Sequence, residues 1–237
     1  MMNSYIFVKT FFVREKVAKK DFVLLAFCGL FGVTINQLCF FHGLNLSSSI
    51  NSGIIMTVNP ILVVILSYFL LKEKITVKKS IGIFLGATGA ILLTLTAGTG
   101  KGDSMLGDLF LFINAASYAV YLVIAKPLMQ KYSPLTVITY VFSFGVTFIL
   151  LYPPTLTEFF ATEFGSIPFD VVMKIIYVII GVTFFTYLLT MYGLKYLSPS
   201  VSSAYIYLQP VLVMIFALLF YRSYLHIFFA WGVLNPK

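Results

Sequence analysis

Long uninterrupted apolar runs constrain this chain more than any other feature. A helix needs about 20 apolar residues to cross a hydrocarbon core of about 30 Å. Seven stretches meet that length, at roughly 22–43, 48–71, 80–98, 106–126, 134–154, 171–193 and 200–221. Polarity inside them does not alternate as a membrane β-strand requires, so helices are the spanning structure that remains. Composition agrees: of 237 residues, 60% are hydrophobic and 10% charged. A soluble domain carries about a quarter charged residues and needs polar side chains to cover its surface. The chain is therefore predicted to be an all-α polytopic membrane helix bundle, with lipid as its first partner. Two apolar stubs, 5–13 and 225–234, are each too short to cross alone.

The net charge of +8 does not point to nucleic acid. The basic residues sit in short clusters between apolar runs and are not interleaved with aromatic side chains as a base-stacking surface would be. They read instead as topogenic charge. One set of loops holds Arg14, Lys16, Lys19, Lys20, Lys72, Lys74, Lys78, Lys79, Lys126, Lys131 and Lys195; the alternate set holds Lys101, Lys174 and Arg222. That bias of eleven against three predicts that the 14–20 loop is cytoplasmic and the 155–170 loop external, in a multi-pass protein of the cell (inner) membrane. The N-terminus lacks a secretory pattern: its apolar stretch is short, Lys9 interrupts it, and no small-residue cleavage site follows. Cys28 and Cys39 lie in one apolar run without a CxxC pattern, so neither a disulfide, a metal nor another cofactor is expected.

The chain also repeats itself. Gly43-Leu…Ser48…Ser52…Asn59-Pro60 aligns with Gly193-Leu…Ser198…Ser202…Gln209-Pro210 at a constant offset of 150. By the charge bias, the two segments run through the membrane in opposite directions. Inverted repeats of this kind build transporters, with the substrate near the midplane. The repeats are placed at 1–98 and 105–237.

Polar groups in hydrocarbon usually face the bundle interior. Several here form stripes at helical spacing: Asn114, Ser117, Tyr118 and Tyr121; Ser52, Met56 and Asn59; Thr183, Tyr187 and Thr190; Ser202, Tyr205 and Gln209, with Asn36 and Gln37 adjacent in the first span. Each residue alone is explained by interhelical hydrogen bonding. Taken as a set, Asn36, Gln37, Asn59, Asn114, Tyr118, Tyr121, Tyr187, Tyr205 and Gln209 are expected to line one substrate cavity. Pro60 and Pro210 are expected to kink their helices and to act as hinges or as static bends. Gly82, Gly86 and Ala90 form a small-residue stripe suited to close helix packing. Glu73, between Lys72 and Lys74, reads as a solvated charge or a turn cap.

These residues resemble a known family. Gly43-Leu…Asn59-Pro60…Leu71-Lys-Glu73-Lys-Ile-Thr76…Gly82-x-x-x-Gly86-x-x-Gly89 is similar to one EamA domain of the drug/metabolite transporter superfamily. Gly107-Asp108-Leu…Asn114-Ala-Ala-Ser117-Tyr118-Ala…Lys126 and Gly193-Leu-Lys-Tyr-Leu-Ser198-Pro-Ser…Gln209-Pro210 resemble the second. The resemblance implies ten spans in two inverted five-helix halves, and against it the chain looks truncated at both ends. It implies a permease or exporter working by alternating access. No Asp, Glu, Lys, Arg or His lies mid-span; Asp108, Lys174 and Lys195 sit near ends and His42 at the outer edge. That argues against phosphorylated substrates, which need a buried cation, and favours small neutral or zwitterionic, amino-acid-like metabolites. No nucleophile or acid/base pair at depth marks an enzyme. The competing expectation is a non-transporting remnant or a membrane interaction subunit. A second copy, or a companion fragment bringing the missing helices, is the protein partner such a chain would need.

Overall fold

The computed structural model describes residues 15–96, 104–209, 211–212 and 215. The stubs 5–13 and 225–234 and the hinge residue Pro210 lie outside the described residues. Among the described residues nine helices follow in order: α1 Asp21–Leu46, α2 Ser49–Met56, α3 Asn59–Leu71, α4 Val77–Thr96, α5 Met105–Lys131, α6 Pro134–Leu150, α7 Pro153–Ala161, α8 Phe169–Tyr196 and α9 Pro199–Ala204. The last continues as a 3-10 turn over Tyr205–Leu208. Two helices contain π-helical stretches, Leu30–Ile35 in α1 and Val178–Phe184 in α8. The protein is a helical membrane bundle.

Of the seven expected spans, four helices among the described residues are long and apolar enough to cross: Asp21–Leu46, Asn51–Leu71, Met105–Lys131 and Phe169–Tyr196. A fifth is reached if Pro134–Leu150 and Pro153–Ala161 count as one bent span. That pair departs from the expected 134–154 helix. Pro disfavours helical backbone in the residue before it; Tyr152 is extended, and the chain turns by 83° into α7. The supposed 155–170 loop thus holds most of a short helix and a 3-10 turn at Phe164–Ser166. The 80–98 span corresponds to α4, 20 residues long, and the 200–221 span begins as α9 before running beyond the described residues.

Local chemistry sets the helix ends. Ser48 caps α2 by accepting from the Asn51 N–H at 3.2 Å, and Ser133 caps α6 by accepting from Thr136 N–H at 3.3 Å, each satisfying an otherwise orphan donor. Pro60 does not kink a continuous helix. It sits in the first turn of α3, where its missing N–H costs little, after a two-residue break. Thr57 and Val58 close that break with N–H bonds to Ile54 and Ile55 carbonyls at 3.0 Å each.

Helix α5 is the axis of the bundle. Half of its most apolar window is buried, against 6% for α8. α1, α2, α3, α6, α8 and α9 all pack on it. Leu111, Ala119, Tyr121, Leu122, Ala125, Leu128 and Met129 of α5 are fully buried. α1 and α6 approach closely where a side chain on Gly29 would strike the backbone of Val141 and Gly145. The large apolar side chains left exposed on α4 and α8 face what would be lipid, so a bundle of this kind needs no polar coat.

Candidate functional site

Three of the nine expected site residues, Asn36, Asn59 and Asn114, join α5 to its neighbours through their amides, and a fourth, Tyr187, joins α8 to α1. Asn114 Nδ2 donates to the Asn36 carbonyl at 2.7 Å, and Asn36 Nδ2 returns a bond to the Asn114 carbonyl at 3.2 Å. Asn59, just after the helix break, donates from Nδ2 to the Ala115 carbonyl at 2.7 Å and is buried. Tyr187 donates to the Gly32 carbonyl, inside the π-helical stretch of α1, where the ladder is loosened and carbonyls become available. Ser117 bonds within its own helix, to the Asn114 carbonyl at 2.8 Å.

Tyr118, Tyr121 and Tyr187 form an aromatic cluster with Phe142. Ring centroids lie 5.8 Å apart for Tyr118–Tyr121, 5.9 Å for Tyr121–Tyr187 and 5.1 Å for Phe142–Tyr187, the range of favourable aromatic pairs. Gln37 lies beside the Tyr187 hydroxyl and Thr190 beside that of Tyr118. Among the described residues four buried polar atoms have no hydrogen-bond partner: Ser67 Oγ, Ser198 Oγ and, on expected site residues, the Tyr121 hydroxyl and Asn59 Oδ1. Such atoms are rare in folded proteins and need an explanation. The cluster is neutral: amides, hydroxyls and rings, suited to binding by hydrogen bonds and stacking.

Tyr205 and Gln209 are not brought into this cluster. Both are exposed, Tyr205 by 62%. Tyr205 lines a separate groove of about 420 Å³ with Gly82, Gly86, Ala204, Tyr207 and Leu208. The expected Ser202–Tyr205–Gln209 stripe gives way to another face. Ser200, Ser203 and Tyr207 are buried instead, and Tyr207 donates to the Thr57 carbonyl at 2.9 Å. Ser200, Ser203 and Tyr207 stand at i, i+3 and i+7, so they too form one helical face, and packing against α3 and α4 selects it over the neighbouring one. Among the described residues the small-residue stripe is only partly a packing seam: the Tyr207 ring fills the notch at Gly86, while none of them lies within 4 Å of a side-chain carbon placed on Gly82 or Gly89.

Sequence reasoning also passed over Thr34, whose hydroxyl donates to the Gly145 carbonyl at 3.1 Å between α1 and α6. It stands on no stripe, so only the close approach of the two helices reveals it. Glu73 is not a solvated charge. It pairs with Lys79 and accepts from Ser200 Oγ at 2.9 Å. Burial pushes its carboxyl up, but the hydrogen bonds from Lys79 and Ser200 and the Lys79 charge outweigh that and hold it below the usual range.

A family model, the EamA-like transporter family, matches residues 1–95 and 105–234. The chain belongs to the EamA-like transporter family. Its relatives carry the same broad description. Uncharacterized transporter YyaM of Bacillus subtilis (strain 168) is 28% identical over 207 residues, covering 86% of this chain and 67% of its own length. Uncharacterized transporter YetK of the same organism is 31% identical over 158 residues, 63% of this chain and 48% of the relative. An uncharacterized transporter of Archaeoglobus fulgidus is 26% identical over 205 residues, 85% of this chain and 69% of the relative. The chain thus spans about two thirds of YyaM and about half of YetK. A solved crystal structure superposes with a TM-score of 0.66 at 19% identity, covering 92% of this chain and 72% of that one; it shares the fold. This EamA protein is a multi-pass membrane transporter by family, which sets the neutral cluster around α5 in the context of transport.

Proposed function

We propose that this EamA protein moves small neutral or zwitterionic, amino-acid-like metabolites across the cell membrane by alternating access, with the α5 cluster as its substrate site. The observation that carries the reading is the pair of unpartnered atoms, the Tyr121 hydroxyl and Asn59 Oδ1, on a neutral aromatic and amide wall. A substrate carrying both donors and acceptors would satisfy them. Gln37 and Tyr118 would flank it; Asn36, Asn114 and Tyr187 would hold the wall in place through the bonds described above.

Two geometric facts support inverted halves. The turn at Ser47 is tied to Asp108, near one end of α5, by a 2.5 Å hydrogen bond. The equivalent turn at Leu197 is tied to Lys126, whose Nζ donates to the Leu194 and Leu197 carbonyls at 2.8 Å each. Those two positions on α5 are 18 residues apart, about 27 Å of helix, so equivalent turns lie at opposite ends. In addition Thr57 and Tyr207, which are equivalent at the offset of 150, bond each other. A residue touching its own counterpart is what a two-fold axis produces.

The protein reconstituted in liposomes should exchange a labelled neutral amino acid or a close neutral analogue. Tyr121→Phe removes only an unpartnered hydroxyl, so it should impair exchange about 10-fold or more if that group binds substrate, without loss of folded protein. Unchanged exchange by Tyr121→Phe would remove the cluster as the site. For orientation, single cysteines at Lys16 and Glu163 in a background lacking Cys28 and Cys39 should label from opposite sides, Glu163→Cys from outside. Labelling of Lys16→Cys from outside would reverse it.

A further inference from the structure

Among the polar contacts between the two sequence halves, one seam lies apart from the α5 cluster, beside α9. One face of α9 and its 3-10 turn carries it, with Ser200, Ser203 and Tyr207 buried against α3 and α4. At the rim, Ser200 Oγ donates to Glu73 Oε2 at 2.9 Å, and Lys79 occupies Oε1. Lys126 stands at the same end, holding the last carbonyls of α8. Deeper in, Tyr207 bonds the Thr57 carbonyl and its ring fills the notch at Gly86.

We propose that this seam is a gate: the Glu73–Ser200 contact holds it shut, and its parting opens the α5 cluster to the Glu73 side of the membrane. The assignment rests on the transporter reading above. Three features favour a gate over fixed packing. The seam is flanked by interrupted helices, at Thr57–Val58 and at Tyr205–Leu208, and chain breaks absorb the backbone rotation that closure demands. The rim contact is separable, since Glu73 keeps Lys79 when Ser200 leaves and no lone charge is stranded. The helix behind it, α5, is continuous over 27 residues and offers a fixed surface for the seam to close against.

The test reads exposure, independent of transport. Ser203 is 1% exposed, so Ser203→Cys, in a full chain carrying Cys28→Ser and Cys39→Ser, should react slowly with a membrane-impermeant maleimide from either side. Adding Glu73→Gln or Ser200→Ala should raise that rate about 5-fold or more, from the Glu73 side only, as a population shift toward the open state. Parental rates in both variants overturn the gate, as does an equal rise from both sides. If Glu73→Gln fails to insert, Ser200→Ala decides alone. A second arm uses Glu73→Cys with Ser200→Cys: oxidation should stop exchange and reduction restore it, and exchange by the cross-linked protein overturns the gate. If the parent exchanges none of the neutral substrates tested, the transporter reading fails while the labelling rates still decide whether the seam opens.

Discussion

The segments around Gly43–Pro60 and Gly193–Pro210 repeat in sequence, yet their surroundings differ. Both follow a helix with a π-helical stretch, and both end that helix with the same bond, Ser47 N–H to the Gly43 carbonyl and Leu197 N–H to the Gly193 carbonyl, at 2.8 Å each. Ser48 and Ser198 then open the next helix from the same extended backbone, with φ of −81° and −75°. The likeness stops at packing. A side-chain carbon on Gly43 would lie 2.7 Å from Leu111, whereas nothing among the described residues lies within 4 Å of one on Gly193. Asn59 is buried and bonded; Gln209 is exposed. A repeat carries its local backbone geometry with it, because that is written in caps and turn residues. It does not carry its neighbours.

The comparison breaks or sharpens at its glycines first. Gly43→Val should destabilise the protein by about 1–3 kcal/mol through overpacking against Leu111. Gly193→Ala should be neutral or stabilising by up to about 1 kcal/mol, since glycine inside a helix is costly. Thermal unfolding in detergent measures both, and equal losses would mean that the two sites are packed alike.

A second contrast is set by the amides. Asn59→Ala should cost about 1–3 kcal/mol, the range for a buried hydrogen bond lost, while Gln209→Ala should stay within about 0.5 kcal/mol, as for an exposed site. Similar destabilisation by both would show that Gln209 is buried in the assembled protein. Where the halves meet, Tyr207→Phe removes the bond to the Thr57 carbonyl and should cost about 0.6 kcal/mol, at most about 1.7, as for interhelical bonds in membranes. No measurable change would leave the Gly86 notch as the whole of that contact.

The smallest effect expected is a pH dependence at Glu73. Its carboxyl is held below the ordinary value of 4.5, with Lys79 against it and Lys126 nearby. A depressed folded-state value adds stability that is present above the ordinary value and lost as pH falls through the folded one. Stability should therefore decline on acidification below about 4.5, and less steeply in Glu73→Gln. Identical acid profiles would show that the seam does not depend on that charge.

The helical membrane fold was legible because lipid imposes a length and polarity rule that any 20-residue window reveals. Asn114, Ser117 and Tyr121 were legible as an inward face because α5 is a regular helix, so spacing converts directly into direction. Tyr205 and Gln209 were misplaced because Ser202, Tyr205 and Gln209 and, equally, Ser200, Ser203 and Tyr207 are at helical spacing, and only packing against α3 and α4 chose the second set. The bend at Pro153 was signalled by the Pro153–Pro154 pair, but the helix beyond it was hidden under a polar composition. Glu73 was misread because its partner Ser200 is 127 positions away, outside any local pattern. What the chain alone determined is what depends on neighbours in sequence: spanning length, caps, breaks and the recurrence at 150. Which amides pair, which glycines are filled, and which face of α9 meets Glu73 were decided only in the tertiary structure, because burial and hydrogen bonding depend on what lies across the gap.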